Sequence, residues 1–464
     1  MLKRSIVAEK NSRRSFLKTT TAAALAPMII PGSALGLNGA VAASNRLTMG
    51  LIGCGGHGTG WNLDRMFSDP RQQVVAVCDV DRKHAAEAKK RVNHHYAETL
   101  GGDYKGCDVY SDFRELINRK EIDAIDNATP DHWHVPIALM SILAGKPTIC
   151  EKPLTLTIAE GRILSDAVSK SGVTFQTASE NRSIDTYIQC VELVPAGYIG
   201  ELRHIDVTLP VGNSTRGREE SDFEEQPVPE DFDYEMWQGQ APELPYIPAR
   251  THNTFRWNLA YSGGVLTDWG AHLIDLAQWA NNTEKSGPVK VRGNGHFPPR
   301  DEVWNTTATF SIDYLYENGV TMNVSAMQPG IRFCGSEGCI GFTGWRKPLE
   351  ASDSKILEIS IPEKEQLYRP KVIVARDSND GGEHKNFVDC VFSGEECYAP
   401  AETGHRTTSI SHIGNISMRL GGRELEWDPK TERFVGDGEA DAMLSREQRE
   451  PWTLKNVQSW VNVG

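Results

Sequence analysis

The fold is decided by residues 47–60, LTMGLIGCGGHGTG. An apolar run, 47–52, breaks into glycines at Gly53, Gly55 and Gly58, so a G-x-G-x-x-G pattern follows a strand-like segment. In a dinucleotide site the first glycine makes a tight turn, the second lets the backbone approach a pyrophosphate, and the third lets helix and strand pack closely. The helix N-terminus then faces the phosphates. Alone this pattern is a weak signal, because glycine-rich turns are common.

A carboxylate at the end of the next predicted strand strengthens the signal. The apolar run 73–78 ends in Asp79, about twenty residues after the last glycine, where such folds place an acid on the adenosine ribose. A carboxylate there also repels a 2′-phosphate, so the sequence predicts NAD as the cofactor. Arg82 and Lys83 favour NADP instead, because an arginine can accommodate that phosphate. The alternative is a loop with a chance acid.

Helical and strand-like segments alternate over residues 44–177, which predicts a Rossmann domain. One of the helices opens at a capping box, Thr157–Glu160, and is closed by Gly172. Such alternation is typical of a doubly wound parallel sheet, in which ligands bind beyond the carboxyl ends of the strands. Thr129-Pro130 and Glu151-Lys152-Pro153 each follow a predicted strand, so we expect both segments to lie beside the ligand.

After residue 177 the pattern changes, which predicts an α+β domain over residues 178–426. Several segments alternate apolar and polar residues, and Glu317-Asn318-Gly319 forms a hairpin turn between two of them. They predict a large, mainly antiparallel sheet. We expect the acidic stretch 218–235 to be a solvated loop and the tail 427–464 to wrap irregularly over the surface. The alternating segments are 307–312, 320–326, 332–333 and 340–342.

The chain opens with a predicted export signal, residues 1–43. The stretch 12–18, SRRSFLK, resembles a twin-arginine signal, and residues 40–42, AVA, offer a small-x-small cleavage site. The weakly apolar stretch between them is too polar and broken to span a bilayer. The resemblance implies twin-arginine export machinery, a periplasmic or otherwise exported protein, and loading of the cofactor before export. The alternative is an amphipathic N-terminal arm.

Charge and cysteine content limit the partners. The chain has a formal net charge of −13, which argues against nucleic acid or an anionic membrane as a partner. No stretch after the export signal is apolar enough to span a bilayer. The nine cysteines include no C-x-x-C spacing that would indicate zinc. Cys334 and Cys339 flank a short turn and could bridge a hairpin in an oxidising compartment.

Two further motifs resemble those of one family. They are Glu151-Lys152-Pro153 and the stretch 263–275, GGVLTDWGAHLID. Both are similar to motifs of the glucose–fructose oxidoreductase, inositol dehydrogenase and rhizopine-catabolism family (Gfo/Idh/MocA), and in particular of its long exported bacterial branch. The similarity extends over nearly all of the chain after the export signal, including residues 129–134 and 404–406. It implies an NAD(P)-dependent oxidoreductase that uses no metal and forms homo-oligomers through its C-terminal sheet.

The helix predicted within 263–275 carries candidate catalytic residues. Asp268, His272 and Asp275 lie at i, i+4 and i+7, hence on one face. A hydroxyl oxidised by nicotinamide loses its proton as the hydride leaves, and the resemblance gives the role of base to His272. Asp268 could orient the imidazole, and Lys152 could stabilise the developing alkoxide. The alternatives are an amphipathic helix with an ion pair, and a metal site made by the three helical residues.

The remaining candidate residues are implied by their position in the family. The implied cofactor site consists of Gly53, Gly55, Gly58, Asp79, Thr129, Pro130, His132, Glu151 and Lys152. The implied substrate contacts are Arg182, Arg250, His252, Arg256, Trp257 and His272. Arginine and aromatic side chains suit sugar hydroxyls and sugar faces, although such clusters more often serve packing and ion pairing. His132 and His134 either line the nicotinamide pocket or are structural.

The sequence as a whole predicts hydride transfer between NAD(P) and a secondary alcohol of a sugar, a sugar derivative or a cyclitol. One alternative is a glycosidase or lyase that oxidises its sugar transiently with NAD, but known glycosidases of the superfamily lack a lysine where this chain has Lys152. Another is a non-catalytic sugar-binding protein with a structural dinucleotide. Because an exported enzyme finds no nicotinamide pool, we expect a tightly held cofactor that is recycled in place. The stretch 218–235 or the tail would then cover the cleft.

Overall fold

A computed structural model describes residues 41–42, 45–100, 103–214, 217–367 and 382–461. The predicted export signal lies outside these residues except for Val41 and Ala42, so it stays a prediction. Residues Leu47–Gly464 form one compact unit, which holds both expected domains. No helix in the described ranges is both long and apolar enough to cross a bilayer.

The N-terminal half contains a parallel sheet of six strands. These are β1 (Leu47–Ile52), β2 (Gln72–Cys78), β3 (Asp108–Tyr110), β4 (Ala124–Asn127), β5 (Thr148–Cys150) and β6 (Phe175–Thr177). Their order is β3-β2-β1-β4-β5-β6, which confirms the predicted doubly wound Rossmann fold. The chain changes direction across the sheet between β1 and β4, so their carboxyl ends border the crevice in which such sheets bind ligands.

Helices cover both sheets of the molecule. In chain order they are α1 (Leu63–Ser68), α2 (Arg82–Leu100), α3 (Phe113–Ile117), α4 (Asp131–Leu143), α5 (Ile158–Ser171), α6 (Asp185–Leu193), α7 (Tyr234–Gln238), α8 (Val265–Ala280), α9 (Gly382–Ser393), α10 (Ala401–Arg419), α11 (Gly438–Asp441) and α12 (Val457–Trp460). Thr157 opens α5 with the predicted capping box, and Gly172 ends it in a left-handed conformation.

The second half contains a mixed sheet of nine strands, as the alternating segments predicted. Its strands are β7 (Leu202–Leu209), β8 (Pro288–Gly295), β9 (Phe310–Tyr316), β10 (Thr321–Ala326), β11 (Gly330–Gly335), β12 (Cys339–Phe342), β13 (Glu350–Ala351), β14 (Leu425–Asp428) and β15 (Arg433–Phe434). Their order is β13-β12-β11-β7-β10-β9-β8-β14-β15, and only the β7–β10 pair is parallel among these described strands. A disulfide joins Cys334 of β11 to Cys339 of β12.

One face of the mixed sheet packs against α8 and α10. Leu273 of α8 and Ile413 of α10 share a buried apolar cluster with Ile312 and Val324 of the sheet. Burial of such aliphatic side chains contributes about 1.5–3 kcal/mol each, so this layer fixes α8 firmly. Apolar core contacts therefore fix the position of the helix that carries Asp268.

Helix α9 belongs to the predicted second domain but packs into the first. Phe387 and Val388 lie in the same apolar cluster as Met49 of β1 and Val74 of β2. The boundary predicted at residue 177 thus lies between the two sheets, but residues from beyond it contribute to the apolar core of the first sheet. As a result, the polar residues at the start of α9 reach the ligand-binding edge of the parallel sheet.

The tail after residue 426 is not the irregular surface segment that the sequence predicted. Strand β14 crosses the expected boundary, and its Trp427 is buried in the core of the mixed sheet. Trp452 packs edge-on against Trp133 of α4, with ring centroids 5.4 Å apart. The strands here are too short, and their aromatic residues too widely spaced, to give a periodic signal in the sequence.

Candidate active site

The glycine-rich turn after β1 opens onto a cavity of about 410 Å³, called here the dinucleotide cavity. Gly53 has a φ of +93°, and a Cβ at this position would lie 2.6 Å from the carbonyl oxygen of Ala128. A Cβ on Gly58 would collide with the carbonyl oxygen of Gly53. Gly55 lines the cavity and has open space around its Cβ position, so a ligand can approach the backbone there. A pyrophosphate-binding turn imposes the same three constraints.

Asp79 follows β2 and lines the same cavity. Its Oδ2 accepts a hydrogen bond from the Cys54 N–H (2.6 Å), and its Oδ1 accepts one from the Asp81 N–H (2.8 Å). Burial raises the pKa of the Asp79 carboxyl, whereas these N–H donors lower it. The carboxylate is thereby fixed beside the glycine turn, in the position that binds ribose hydroxyls in Rossmann folds. The turn and the carboxylate together fit NAD.

The segments that follow β4 and β5 are braced against each other beside this cavity. Thr129 and Pro130 line the cavity. His134 lies between the two segments, with Nε2 2.8 Å from the Thr129 carbonyl oxygen and Nδ1 2.7 Å from the Pro153 carbonyl oxygen. His134 is therefore structural. His132 is fully buried against Trp237 and, like Glu151 and Lys152, is not among the residues that line the cavity, so its role in cofactor binding stays a prediction.

Lys152 and Asp268 form the buried ion pair of the site. Lys152 Nζ donates to Asp268 Oδ1 at 2.8 Å, and Arg256 Nε lies 3.3 Å from the same oxygen. The Lys152 and Asp268 side chains are 12% and 5% exposed. Burial alone would raise the pKa of Asp268, but Lys152 and Arg256 hold it well below its usual range. One ionised carboxylate thus balances two cations, and Arg256 also lines the dinucleotide cavity.

The side chain of Glu151 contacts the glycine turn through His57. Its Oε1 lies 3.0 Å from Nε2 of His57, which is part of the turn and lines the cavity. Burial opposes ionisation of Glu151, yet His57 and Lys152 hold its pKa well below its usual range. Glu151 is therefore positioned to hold the turn in place, and His57 is the side chain of this pair that reaches the cavity.

His272 is oriented differently from the prediction. Asp268 accepts a hydrogen bond from Lys152 and acts on His272 through its charge, which partly offsets the effect of burial by raising the pKa of the imidazole. Glu180 Oε1 lies 4.0 Å from His272 Nδ1, beyond hydrogen-bond distance. The imidazole packs edge-on against Trp269 and Trp345, with ring centroids 5.8 and 5.2 Å away. Burial and the neighbouring Lys152 lower the pKa of His272 well below its usual value. The ring is therefore neutral at neutral pH and able to accept a proton.

A second group of buried charges, absent from the predictions, supports the site from α9. His384 Nε2 lies 2.8 Å from Asp126 Oδ2, and Glu383 Oε1 accepts a hydrogen bond from Trp61 Nε1 at 3.2 Å. Burial lowers the pKa of His384, but Asp126 and Glu383 raise it to about 10, so the imidazole is charged. Arg346 Nη2 lies 3.5 Å from Glu180 Oε2. Asp126 and Glu180 are thus each paired with a cation from another element, whereas Glu383 is paired with His384, its neighbour on α9.

Several residues implied as substrate contacts lie elsewhere. Arg182 is 2% exposed, and its guanidinium donates to both carboxylate oxygens of Asp275 at 2.7 and 2.8 Å. Trp257 is buried in the core, where its Nε1 donates to the Ser214 carbonyl oxygen. Arg250 lines a different cavity. Arg182 and Trp257 are thus committed to an ion pair and to core packing, which does not fit the predicted substrate contacts, whereas the role of Arg250 stays a prediction. Arg256 alone of the implied arginines reaches the dinucleotide cavity.

The structure also separates the three residues of the alternative metal site. Asp268 binds Lys152, Asp275 binds Arg182, and His272 faces Glu180. Among the described residues, one group of three side chains has possible metal-ligating atoms that all lie within 4.8 Å of one another. It consists of Asp81, His84 and His252, beside the adenosine end of the cavity.

The fold and the site define a Rossmann-type oxidoreductase with a second α/β domain. Residues 47–179 match a family model described as "Oxidoreductase family, NAD-binding Rossmann fold". Residues 215–454 match one described as "Oxidoreductase family, C-terminal alpha/beta domain". The chain belongs to the Gfo/Idh/MocA oxidoreductase family.

Among curated proteins, the chain is similar to "Glycosyl hydrolase family 109 protein 2" of Shewanella sp. (strain ANA-3), with 31% identity over 211 residues. That match covers 41% of this chain and 44% of the relative. It is also similar to the inositol 2-dehydrogenase of Rubrobacter xylanophilus, with 28% identity over 159 residues, covering 34% of this chain and 42% of that protein. The chain thus spans less than half the length of these relatives.

Two solved structures share the fold over most of the chain. The aldose-aldose oxidoreductase from Caulobacter crescentus, complexed with glycerol, has a TM-score of 0.59 at 16% identity and covers 82% of this chain and 99% of its own. A levoglucosan dehydrogenase in complex with NADH and levoglucosan has a TM-score of 0.57 at 19% identity, with the same coverage. At such identities the comparison concerns the fold alone.

Proposed function

We propose that this protein is an NAD-dependent oxidoreductase that transfers a hydride between nicotinamide and a secondary alcohol of a sugar, a sugar derivative or a cyclitol. The observation that carries this proposal is the ion pair of Lys152 and Asp268, with His272 one turn later on α8. Arg256 links this pair to the dinucleotide cavity, because it contacts Asp268 and lines the cavity. Relatives named inositol 2-dehydrogenase and levoglucosan dehydrogenase support the substrate class.

The residues of the site divide the chemistry among them. Bound NAD, held by the glycine turn and Asp79, supplies the hydride acceptor. Lys152 Nζ is fixed by Asp268 Oδ1 and directs its other N–H bonds at the alcohol oxygen, which becomes negative as its proton leaves. His272 accepts that proton on Nε2, because Nδ1 faces Glu180. Asp268 balances Lys152 and Arg256, which allows both cations to be buried.

Glu180 is the positioning residue for His272 in this scheme. Glu180→Gln removes the negative charge that faces Nδ1, so kcat should fall on the order of tenfold, the equivalent of one pKa unit. Loss of that charge also lowers the pKa of His272 further, because the imidazolium is no longer stabilised. The acidic limb of the kcat/KM profile, where protonation of His272 abolishes activity, should therefore move to lower pH.

A purely structural Glu180 would give a different pH profile. In that case Glu180→Gln would lower activity by the same factor at every pH and leave the acidic limb where it is. Glu192→Gln is the control with the same charge change, because Glu192 is a buried carboxylate that accepts a hydrogen bond from the Leu367 N–H, outside the site. The measurement is kcat/KM against pH for all three proteins.

The experiment that tests the function begins with the ligand that the protein carries. Purified protein is denatured, and the released molecule is identified by mass spectrometry. Protein with NAD is then mixed with a panel of sugars, sugar acids and cyclitols, and reduction is followed at the nicotinamide absorbance. We expect one stereochemical class of secondary alcohols to reduce the cofactor. Reduction by no member of the panel, with NAD bound, would contradict the proposal.

A second candidate function is glycoside cleavage through transient sugar oxidation. It is favoured by the similarity to a protein named as a family 109 glycosyl hydrolase. The two functions differ in whether NADH accumulates and whether the glycosidic bond is cleaved. A dehydrogenase accumulates NADH and leaves the glycosidic bond intact. A glycosidase releases the aglycone of a chromogenic glycoside with no net change in NADH.

The cofactor is further proposed to stay bound through many turnovers. A cover segment, residues 229–257, supports this because it docks on the chain after β2. The Arg82 N–H donates to the Asp231 carbonyl oxygen at 2.9 Å, and the Asp233 N–H donates to the Val80 carbonyl oxygen at 3.0 Å. Phe255 and other residues of the segment line the dinucleotide cavity. We propose further that the protein is loaded with cofactor and then exported to the periplasm through the twin-arginine machinery. We also propose that it forms homo-oligomers through the mixed sheet.

Cofactor retention gives a direct prediction. After export and exhaustive dialysis, the wild-type protein should retain about one NAD(H) per chain and oxidise its donor when a carbonyl acceptor is present. Phe255→Ala opens the cover segment and should speed NAD release about tenfold, the equivalent of ~1.4 kcal/mol. Phe223→Ala is the matched control, because Phe223 packs on Trp304 and is not among the residues that line the cavity.

Two outcomes would contradict cofactor retention. One is a dialysed protein that is empty and turns over only with added NAD. The other is a release rate that is the same in the wild type and the Phe255 variant. Mass spectrometry of the retained dinucleotide also decides between NAD and NADP, and Asp79 predicts NAD.

A further inference from the structure

A second cavity, of about 780 Å³, lies between the N-terminus of α5 and the segment 442–455, and is called here the arginine cavity. It shares no lining residue with the dinucleotide cavity. Its volume falls within the range of about 300–1,000 Å³ that is usual for small-molecule sites. The arginines that line it are Arg250, Arg300, Arg419 and Arg446.

These guanidinium groups are not balanced by the protein itself. In the part of the chain that the structure describes, none of the four lies within 4.0 Å of a carboxylate oxygen. Arg446 Nη1 donates only to a backbone oxygen, that of Leu259, and Arg250 Nη1 donates to the Pro245 carbonyl oxygen at 3.4 Å. Arg250 is 7% exposed, and its buried Nε has no partner.

The one buried acid of the cavity lining, Glu160, compensates the charge of Arg446 only in part. Both carboxylate oxygens of Glu160 are engaged: Oε1 accepts from the Leu156 and Thr157 N–H groups, and Oε2 accepts from Gln240 Nε2. Asp301 and Glu447, which complete the acidic residues of the lining, are exposed. The buried part of the cavity wall therefore carries an excess of positive charge.

The arginines also repel one another. Burial and the neighbouring Arg419 lower the pKa of Arg446 to about 10. Burial and Arg300 lower the pKa of Arg419. Burying a charge without a partner costs free energy, so this arrangement is unfavourable. A bound anion would remove the cost. Guanidinium groups suit this role because their planar fork binds carboxylate, sulfate or phosphate through two hydrogen bonds.

We propose that the arginine cavity binds a small anionic molecule through its carboxylate, sulfate or phosphate groups, which contact Arg250, Arg419 and Arg446. This ligand is separate from the alcohol that is oxidised, because neither Lys152 nor His272 lines the arginine cavity. The proposal does not depend on the redox function. A failure of hydride transfer would leave it standing.

The first test is binding to the full-length, NAD-loaded protein at constant ionic strength, with sodium chloride as the balancing salt. The probes are sulfate, phosphate, galacturonate and uncharged galactose, followed by calorimetry and thermal unfolding. We expect saturable binding and a rise in Tm with anionic probes but not with galactose. Equal binding of sulfate, phosphate and galacturonate would mean that the oxyanion alone is recognised. Stronger binding of galacturonate would identify a sugar acid.

The second test uses substitutions with a matched control. Arg419→Gln and Arg446→Gln should each weaken anion binding at least about tenfold, the scale of one lost charge-assisted hydrogen bond. Arg292→Gln makes the same charge change at an exposed position on β8, outside the cavity, and should leave binding unchanged. Retained NAD reports on folding in every variant.

A third measurement needs no variant. Phenylglyoxal modifies arginine side chains, and peptide mapping of the wild-type protein should show that the anion slows modification of Arg419 and Arg446 but not of Arg292. No saturable binding by any anionic probe would overturn the proposal. So would binding that survives both cavity substitutions, or modification rates that the anion leaves unchanged.

Discussion

Replacing Lys152 by alanine should lower kcat by at least about a hundredfold, the usual scale for a lost donor to a developing oxyanion. The structure gives the reason: Lys152 Nζ is fixed by Asp268 at 2.8 Å and is the cation of the Glu-Lys-Pro segment at the end of β5. Because Arg256 still balances Asp268, the fold and the bound NAD should survive. The measurement is single-turnover reduction of the cofactor together with NAD content.

The control for this variant is Lys290→Ala. Lys290 also pairs with a carboxylate, that of Glu426 at 3.2 Å, but it lies on β8 and far more of its side chain is exposed (43%). Its replacement should leave turnover unchanged, because exposed ion pairs contribute little to stability. Near-normal turnover of Lys152→Ala on the true substrate would remove Lys152 from the mechanism.

Replacing His272 by alanine should also lower kcat at least about a hundredfold, the scale of a lost general base. In the wild type, burial and Lys152 lower the pKa of His272, so its neutral form persists to mildly acidic pH. Wild-type kcat/KM should therefore fall only at pH values well below the ordinary histidine pKa of about 6.5. This acidic limb should be absent from the residual activity of the variant.

Rescue distinguishes a lost base from a damaged fold. Added imidazole should restore part of the activity of His272→Ala, since truncation leaves space beside Trp269 and Trp345. His204→Ala is the control, because His204 lies on the mixed sheet, 3.0 Å from Asp206, and should have no effect. A His272 variant that turns over normally, with NAD bound, would exclude His272 as the base.

Much of the fold could be predicted because its signals are local in the sequence. The strands of the Rossmann sheet are bounded by glycines and caps, and the turn at Glu317-Asn318-Gly319 lies between β9 and β10 as expected. The tail could not be predicted in this way. Trp427 lies in a short strand and Trp452 in no helix or strand, and each becomes part of a core only through contacts with distant segments.

The sequence motifs indicated which residues belong to the site, but they did not show which of those residues contact one another. Lys152 and Asp268, for example, come from separate motifs, and their ion pair is visible only in the structure. Spacing along α8 indicates only a shared helix face, so it could not reveal Glu180, which approaches His272 from the segment after β6. His384 had no signal at all, since α9 packs into the Rossmann core from the far end of the chain.

Arg182 illustrates the limit of inference from position. Arginine near a sugar site suits substrate binding, but the sequence does not reveal which carboxylate lies nearby. Here Asp275, on the same helical face as His272, binds Arg182 in a fully buried pair. The charge of Arg182, which the sequence suggested for substrate binding, is thus neutralised by Asp275.

The central claim is that a bound nicotinamide takes hydride from a sugar alcohol beside Lys152 and His272. It is tested most directly by a single-turnover experiment on NAD-loaded protein with a sugar deuterated at the carbon that is oxidised. The account predicts that mass spectrometry will find the deuterium on the nicotinamide of the wild type, and none within the same time in Lys152→Ala. Consumption of the sugar without deuterium on the nicotinamide, or equal transfer in both proteins, would contradict it.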